Sequence, residues 1–326
     1  MSVIIGTWNV ENLCRPLPAG SPPDPSKCAA KDQATYDAKI EALAAVITEI
    51  GPDLLGVQEV GSQEALDDLV AKLPGTWHTA LSDHPDPRGI RVGFISRFPL
   101  LDVKQTKDFP TGLHPVQVED DGVPGSPTGE MGRGGLAVRV EPTPGRSLHV
   151  AVCHLKSKLL TFPNKKHFTD DERLRARYEA YALFRRAAEA VTMRALADDL
   201  LQGDGRTHDV IVLGDFNDGW QAATTQILYG PPGSQMGTGG FTDPDGGDAE
   251  RLWNLAPKIL EQDGFSRVFE GQRELIDHIL ISHALLAKFQ EVSTGTEQLP
   301  NVVEAHPAAP HGKPSDHSPV FAKFDL

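Results

Sequence analysis

The chain has 326 residues, 39% hydrophobic and 23% charged, a composition that excludes disorder throughout and is ordinary for a soluble globular protein. A formal charge of -14 argues against a broad basic nucleic-acid surface and suits a site that concentrates divalent cations. Three scattered cysteines, Cys14, Cys28 and Cys153, with no CxxC or Cys/His pairing, argue against a disulfide framework or structural zinc, so reduced thiols and a cytoplasmic location are expected; no apolar run reaches the roughly 18 residues of a membrane span.

Residues 3–10, Val-Ile-Ile-Gly-Thr-Trp-Asn-Val, read as a buried strand that ends in polar Asn9, Glu11 and Asn12. The prolines of 15–27 permit neither helix nor central strand and predict a surface loop beside that strand end. Between Tyr36 and Ile50 the apolar residues Ile40, Leu43, Ala44, Val46, Ile47 and Ile50 fall at helical spacing, and Gly51-Pro52 stops the helix. Residues 53–60 repeat the first pattern, a short apolar strand ending in Gln58 and Glu59. A second amphipathic helix is expected at 62–73, and strands of one meander at 91–97 and 100–103. The Gly-, Pro- and acid-rich stretch 105–132 reads as an exposed insertion with the character of a lid.

Strands follow at 135–140 and 148–153, the second running into His154-Leu-Lys156-Ser-Lys158. The longest helical signal spans 170–202; it opens on Asp170, Asp171 and Glu172, as the helix dipole favours, and its arginines read as a solvated face paired with Glu179 and Glu189 more readily than as a phosphate stripe. Val210-Ile-Val-Leu213 then reads as a strand buried on both faces that delivers Asp215 and Asn217 to its carboxyl end, with Phe216 turned to the core. A long Gly/Pro-rich connection, 221–260, contains Gly230-Pro-Pro-Gly and Thr238-Gly-Gly; beyond it, 274–282 reads as a strand with Asp277 inside it, and Asp316-His317 precede the last strand.

Asn9, Glu11, Glu59, His154, Asp215, Asn217, Asp277, Asp316 and His317 thus fall nearly all at strand ends. Hard oxygen donors suit Mg²⁺ or Mn²⁺. An imidazole held by a carboxylate can act as a base, so His317 aligned by Asp277 is the candidate to deprotonate a water that Asp215 positions.

Seven blocks in order, Thr7-Trp-Asn-Val-Glu-Asn-Leu, Val57-Gln-Glu-Val, Gly93-Phe-Ile-Ser-Arg-Phe-Pro, His154-Leu-Lys-Ser-Lys, Gly214-Asp-Phe-Asn-Asp, Ile276-Asp-His-Ile-Leu and Ser315-Asp-His-Ser-Pro, resemble the endonuclease/exonuclease/phosphatase superfamily of DNase I-like and exonuclease III-like phosphoesterases. The resemblance implies one domain over residues 1–326, a four-layer α/β/β/α sandwich of two mixed sheets, with insertions near 14–30, 105–132 and 221–260. It implies a metal shell of Asn9, Glu59, Asp316 and Glu11 for one or two Mg²⁺ or Mn²⁺ ions, and catalytic Asp215, Asn217, His154 and His317 with Asp277. Arg133, Lys156 and Lys158 are the candidate substrate contacts. The implied activity is metal-dependent phosphodiester hydrolysis by a monomer, with DNA or RNA as first substrate and a small phosphorylated metabolite or lipid headgroup as the alternative. A non-catalytic binding module would show gaps in this constellation, and there are none.

Overall fold

The structure, a computed structural model, describes residues 1–18, 20–22, 27–163, 166–233, 236, 243–295 and 314–326. The apolar runs become strands of two six-stranded sheets. The first contains β1 (Ser2–Leu13), β2 (Leu54–Val60), β3 (His78–Leu81), β4 (Arg91–Ser96), β13 (Phe289–Thr294) and β14 (Val320–Asp325), in the spatial order β13-β14-β1-β2-β4-β3. The second contains β5 (Leu101–Asp108), β6 (Glu130–Thr143), β7 (Arg146–His154), β8 (Asp209–Asp215), β9 (Leu252–Asn254) and β12 (Asp277–Ser282), in the order β5-β6-β7-β8-β12-β9. Parallel pairs, β1 with β2 and β7 with β8, occupy the sheet centres.

Period-two alternation divides each central strand between two cores. Val3 and Ile5 of β1, Val150 and Val152 of β7, Ile211 and Leu213 of β8 and Ile279 and Ile281 of β12 meet between the sheets. On the opposite face of the first sheet, Trp8, Leu55 and Val57 pack beneath α1 (Gln33–Ile50) and α2 (Gln63–Val70). On that of the second, Ala151, Val210 and Val212 pack beneath α3 (Glu172–Leu201) and α4 (Ala223–Tyr229). The result is the expected α/β/β/α order of layers. Both long helices are capped by aspartate: Asp32 accepts the Thr35 amide, and Asp171 those of Arg173 and Leu174.

Four expectations are corrected. Residues 91–97 and 100–103 do not form one meander, because β4 lies in the first sheet and β5 pairs with β6 in the second; the chain changes layers across residues 97–100. The insertion is shorter than 105–132, since β5 runs to Asp108 and β6 starts at Glu130, and it is anchored: Val116 bridges Thr128, while Asp120 binds Arg177 and Tyr181 of α3. The 221–260 connection holds α4 and β9; its Thr238-Gly-Gly lies outside the described residues. Cys14 and Cys28 are joined in a disulfide, with Cα atoms 5.8 Å apart, and the Ala30 amide donates to the Cys14 carbonyl beside it. Cys153 is free and buried. Disulfides persist in oxidising compartments, so the cytoplasmic expectation loses the support of the cysteine count. No helix among the described residues is long and apolar enough to cross a membrane.

Candidate active site

The site forms where the inter-sheet face runs out of apolar side chains. Along β1 the series Val3, Ile5, Thr7 continues to Asn9; along β8, Ile211 and Leu213 continue to Asp215; along β7, Val150 and Val152 continue to His154; and β12 begins with Asp277 before Ile279. The ladder aligns them, with Asp215 opposite both His154 and Asp277. One face of two sheets thus becomes polar at one end.

At the centre is Asp215, 1% exposed. Its Oδ2 accepts from Asn9 Nδ2 at 3.0 Å and lies 3.3 Å from His154 Nε2 and 4.0 Å from His317 Nε2, while Oδ1 accepts the Asn217 amide at 2.8 Å. His317 Nδ1 is 2.7 Å from Asp277 Oδ2, as expected of an oriented imidazole, while Asp277 Oδ1 is buried without a partner. The loop before β14 is held in place by three bonds: Ser315 Oγ donates to the Asn9 carbonyl, the His317 amide donates to Ser315 Oγ, and Trp8 Nε1 donates to the His317 carbonyl.

Burial, and then the nearby Asp277, push Asp215 up to about 7, the range of a base at neutral pH. Burial alone would lower His317, but Asp277, Asp316 and Asp215 outweigh it and raise it to about 10. In this state His317 is an imidazolium and a proton donor. Burial and then Arg133 hold His154 well below its ordinary value, so it is neutral.

A second acidic group lies at the rim. Glu11, Asn12 and Glu59 adopt positive φ values of 48°, 53° and 66°, and the β1–β2 register shifts between Asn9 and Leu13. This irregularity re-aims two carboxylates that a regular ladder would send to opposite faces. Glu11 Oε2 accepts the Asp316 amide at 3.1 Å, and Glu59 Oε2 accepts that of Asn12 at 3.0 Å. Burial and then Asp316 push Glu11 up to about 7. Among them sits Lys39 of α1, its Nζ 3.9 Å from Glu11 and donating to the Pro314 carbonyl at 2.9 Å. Nothing in the sequence singled Lys39 out, for it lies on the polar face of an amphipathic helix.

The candidate substrate contacts separate. Arg133 is largely buried and reaches Asp86 Oδ2 at 3.3 Å. Lys156 engages the carbonyls of Ser157 and Leu159, and Lys158 lies 3.2 Å from Glu274 and 3.6 Å from Asp218. Asn217 donates its side-chain amide to the Leu155 carbonyl at 3.0 Å, and with φ 54° it forms a strained turn at the end of β8. On α3, Arg175 and Arg177 pair at the surface with Glu172, Glu179 and Asp120, as expected of a solvated face, but Arg185 pairs with buried Glu189, and Arg186, itself buried, pairs with Asp218 and donates to the Lys156 carbonyl.

The sequence model of the Endonuclease/Exonuclease/phosphatase family matches residues 6–317. The chain belongs to that family. Among solved structures it is similar to the mannosyl-6-phosphatase of Bacteroides thetaiotaomicron, at 15% identity and TM-score 0.58 over 99% of this chain and 100% of that one. It is similar also to the human nocturnin catalytic domain, at 17% identity and TM-score 0.54 over 99% and 94%, and to a humanized D. rerio TDP2, at 16% and 0.54 over 100% and 99%. At such identities the likeness shows the fold. No curated protein matches. Membership makes the chain a phosphoesterase by family, with Asn9, His154, Asp215, Asp277 and His317 gathered at one end of the two sheets.

Donors of the kind a hard divalent ion takes occur in two places, of which the second alone, among the described residues, brings its ligand atoms within metal-binding distance of one another. One is the rim of Glu11, Glu59 and Asp316, where carboxylates outnumber the single ammonium. The other is Asp215, Asp277 and His317, whose ligand atoms lie within 4.8 Å of one another.

Proposed function

We propose that the chain is a divalent-metal-dependent phosphodiester hydrolase that activates water for attack at phosphorus. The observation that carries this reading is Asp215: a buried carboxyl held by Asn9 and the Asn217 amide between two histidines, 3.3 Å from His154 Nε2 and 4.0 Å from His317 Nε2, with burial raising its pKa. Glu59, Glu11 and Asp316 would hold Mg²⁺ or Mn²⁺, which when bound supplies Lewis-acid charge beside the phosphoryl oxygens. Asp215 takes the proton of the attacking water, held in place by Asn9 and the Asn217 amide. His317, fixed by Asp277, donates to a phosphoryl oxygen as negative charge develops, so the base assignment passes from His317 to Asp215. His154, 3.3 Å from Asp215, would flank the leaving oxygen, which departs with the proton that Asp215 has taken from the water.

DNA or RNA is the first substrate class. A specific observation favours a compact phosphate ester as the second: Arg175, Arg177, Arg185 and Arg186 of α3 and Lys158 are spent on carboxylates and Lys156 on carbonyls, which leaves little grip for a long backbone. Hydrolysis of supercoiled plasmid, bis-(p-nitrophenyl) phosphate and p-nitrophenyl phosphate, with Mn²⁺ and then with EDTA, tests both. EDTA-sensitive nicking with diester cleavage supports the nuclease; intact plasmid with turnover of a small ester supports the second reading; no turnover of any substrate contradicts the proposal.

A further inference from the structure

The two histidines of the site are held in different ways. His317 is oriented through its ring, by Asp277 at 2.7 Å. The ring of His154 has no such brace: Nε2 lies 3.3 Å from Asp215 Oδ2, and Nδ1 is buried without a partner among the described residues. Its place is therefore set by its main chain, at the end of β7.

That main chain is gripped at both of the next residues. The Leu155 amide donates to the Asp215 carbonyl at 2.9 Å, and the Leu155 carbonyl accepts from Asn217 Nδ2 at 3.0 Å. Residue 156 is gripped from α3: the Lys156 amide donates to Glu189 Oε2 at 2.5 Å, and the Lys156 carbonyl accepts from Arg186 Nη1 at 2.9 Å. Glu189 and Arg186 are 1% and 6% exposed, and buried ionic side chains are costly unless every group is paired. Each also reaches a second element. Glu189 Oε1 accepts the Gly132 amide of β6 at 2.9 Å and Arg185 Nε at 3.1 Å; a Cβ at residue 132 would stand 2.6 Å from the Arg185 guanidinium, so glycine makes room for it. Arg186 Nε donates at 3.1 Å to Asp218 Oδ2, which Thr224 Oγ1 also reaches at 2.7 Å. Asp218 follows Asn217 directly, so Arg186 ties the segment after β7 to the segment after β8.

We infer that Glu189 and Arg186 are positioning residues for the reaction: from α3 they hold the amide and carbonyl of Lys156, and through them keep His154 against Asp215 and in step with Asn217. The inference rests on the phosphoester reading and extends it to a helix that contributes no reacting group. A ring held only through its main chain follows every shift of that chain, and a displacement of about 1 Å near reacting atoms costs on the order of 10² in rate.

The test is a double-mutant cycle with Mn²⁺ on plasmid, bis-(p-nitrophenyl) phosphate or p-nitrophenyl phosphate, whichever the wild type hydrolyses. Arg186→Lys keeps the charge but cannot make both bonds of the fork, and Glu189→Gln keeps one acceptor oxygen and loses the other. Each should lower kcat by about ten- to a hundredfold with KM nearly unchanged, and Glu189→Ala should lower it further. Arg175→Ala, at the solvated end of the same helix, should leave kcat as it is. In a His154→Ala background the loss from Arg186→Lys should nearly vanish; the same fold-loss in both backgrounds would make the network merely structural and overturn the inference. A second readout needs no turnover. In EDTA, the ring ¹H–¹⁵N signals of His154, assigned by their absence in His154→Ala, should shift or broaden in Arg186→Lys while those of His317 stay. Unchanged His154 signals also overturn the inference. If Glu189→Ala fails to fold, Arg186→Lys and Glu189→Gln decide. If nothing turns over, the phosphoester reading fails while the ring signals still judge the positioning.

Discussion

The centre and the rim of this site are built from similar residue types but differ in charge balance. At the centre, Asp215 and Asp277 face His317 and His154 inside a buried seam between the sheets, and each charge has a neighbour that offsets or orients it. At the rim, Glu11, Glu59 and Asp316 gather where the β1–β2 ladder breaks, against the single ammonium of Lys39. A balanced, buried set is suited to moving a proton. An acid excess, partly open to solvent, is suited to taking up a cation. The account therefore places proton transfer at the centre and the metal at the rim.

Four substitutions probe that division. Glu59→Ala should abolish metal-dependent turnover while leaving the melting temperature in EDTA nearly unchanged; normal turnover would remove the metal from the rim. His317→Ala should lower kcat by about 10² to 10⁴ with a smaller change in KM, and a change confined to KM would make His317 a binding residue only. Lys39→Met should tighten Mn²⁺ binding about tenfold by calorimetry, since it removes a positive charge 3.9 Å from Glu11. Weaker binding would mean that Lys39 braces the Pro314 loop for the metal. The smallest effect is thermodynamic. A carboxyl whose pKa rises on folding binds its proton more tightly in the folded state, so ionising Glu11 destabilises the fold as pH climbs from 4.5 to about 7. In EDTA, Glu11→Gln should melt higher than wild type by a margin that grows over this window, and saturating Mn²⁺ should reverse the order. A margin independent of pH would contradict the assigned environment of Glu11.

The centre was legible in the sequence because Asn9, His154 and Asp215 each end a period-two apolar series, Asp277 opens one, and His317 stands in a recognisable block before the last strand; a run such as Val210–Leu213 specifies both burial and direction. The rim was legible only in part: Glu11 and Glu59 stand in recognisable blocks, but their approach depends on positive φ values that the residue types do not announce. Lys39 was not legible, since its role arises from a contact across 275 residues to Pro314. The same holds for Cys14–Cys28, two cysteines 14 residues apart whose spacing signals no pairing. Short or edge elements also escaped. β3 has four half-buried residues without alternation, and the hairpin of β10 (Arg267–Phe269) and β11 (Gln272–Glu274) has three per strand, too few for a periodic signal.

The most direct test of the division is a calorimetric titration of Mn²⁺ into the wild type, Glu59→Ala and Asp215→Asn. The account predicts that Glu59→Ala loses the binding isotherm while Asp215→Asn keeps it and loses turnover. Retention by Glu59→Ala with loss in Asp215→Asn would place the metal on Asp215, Asp277 and His317 and contradict the account.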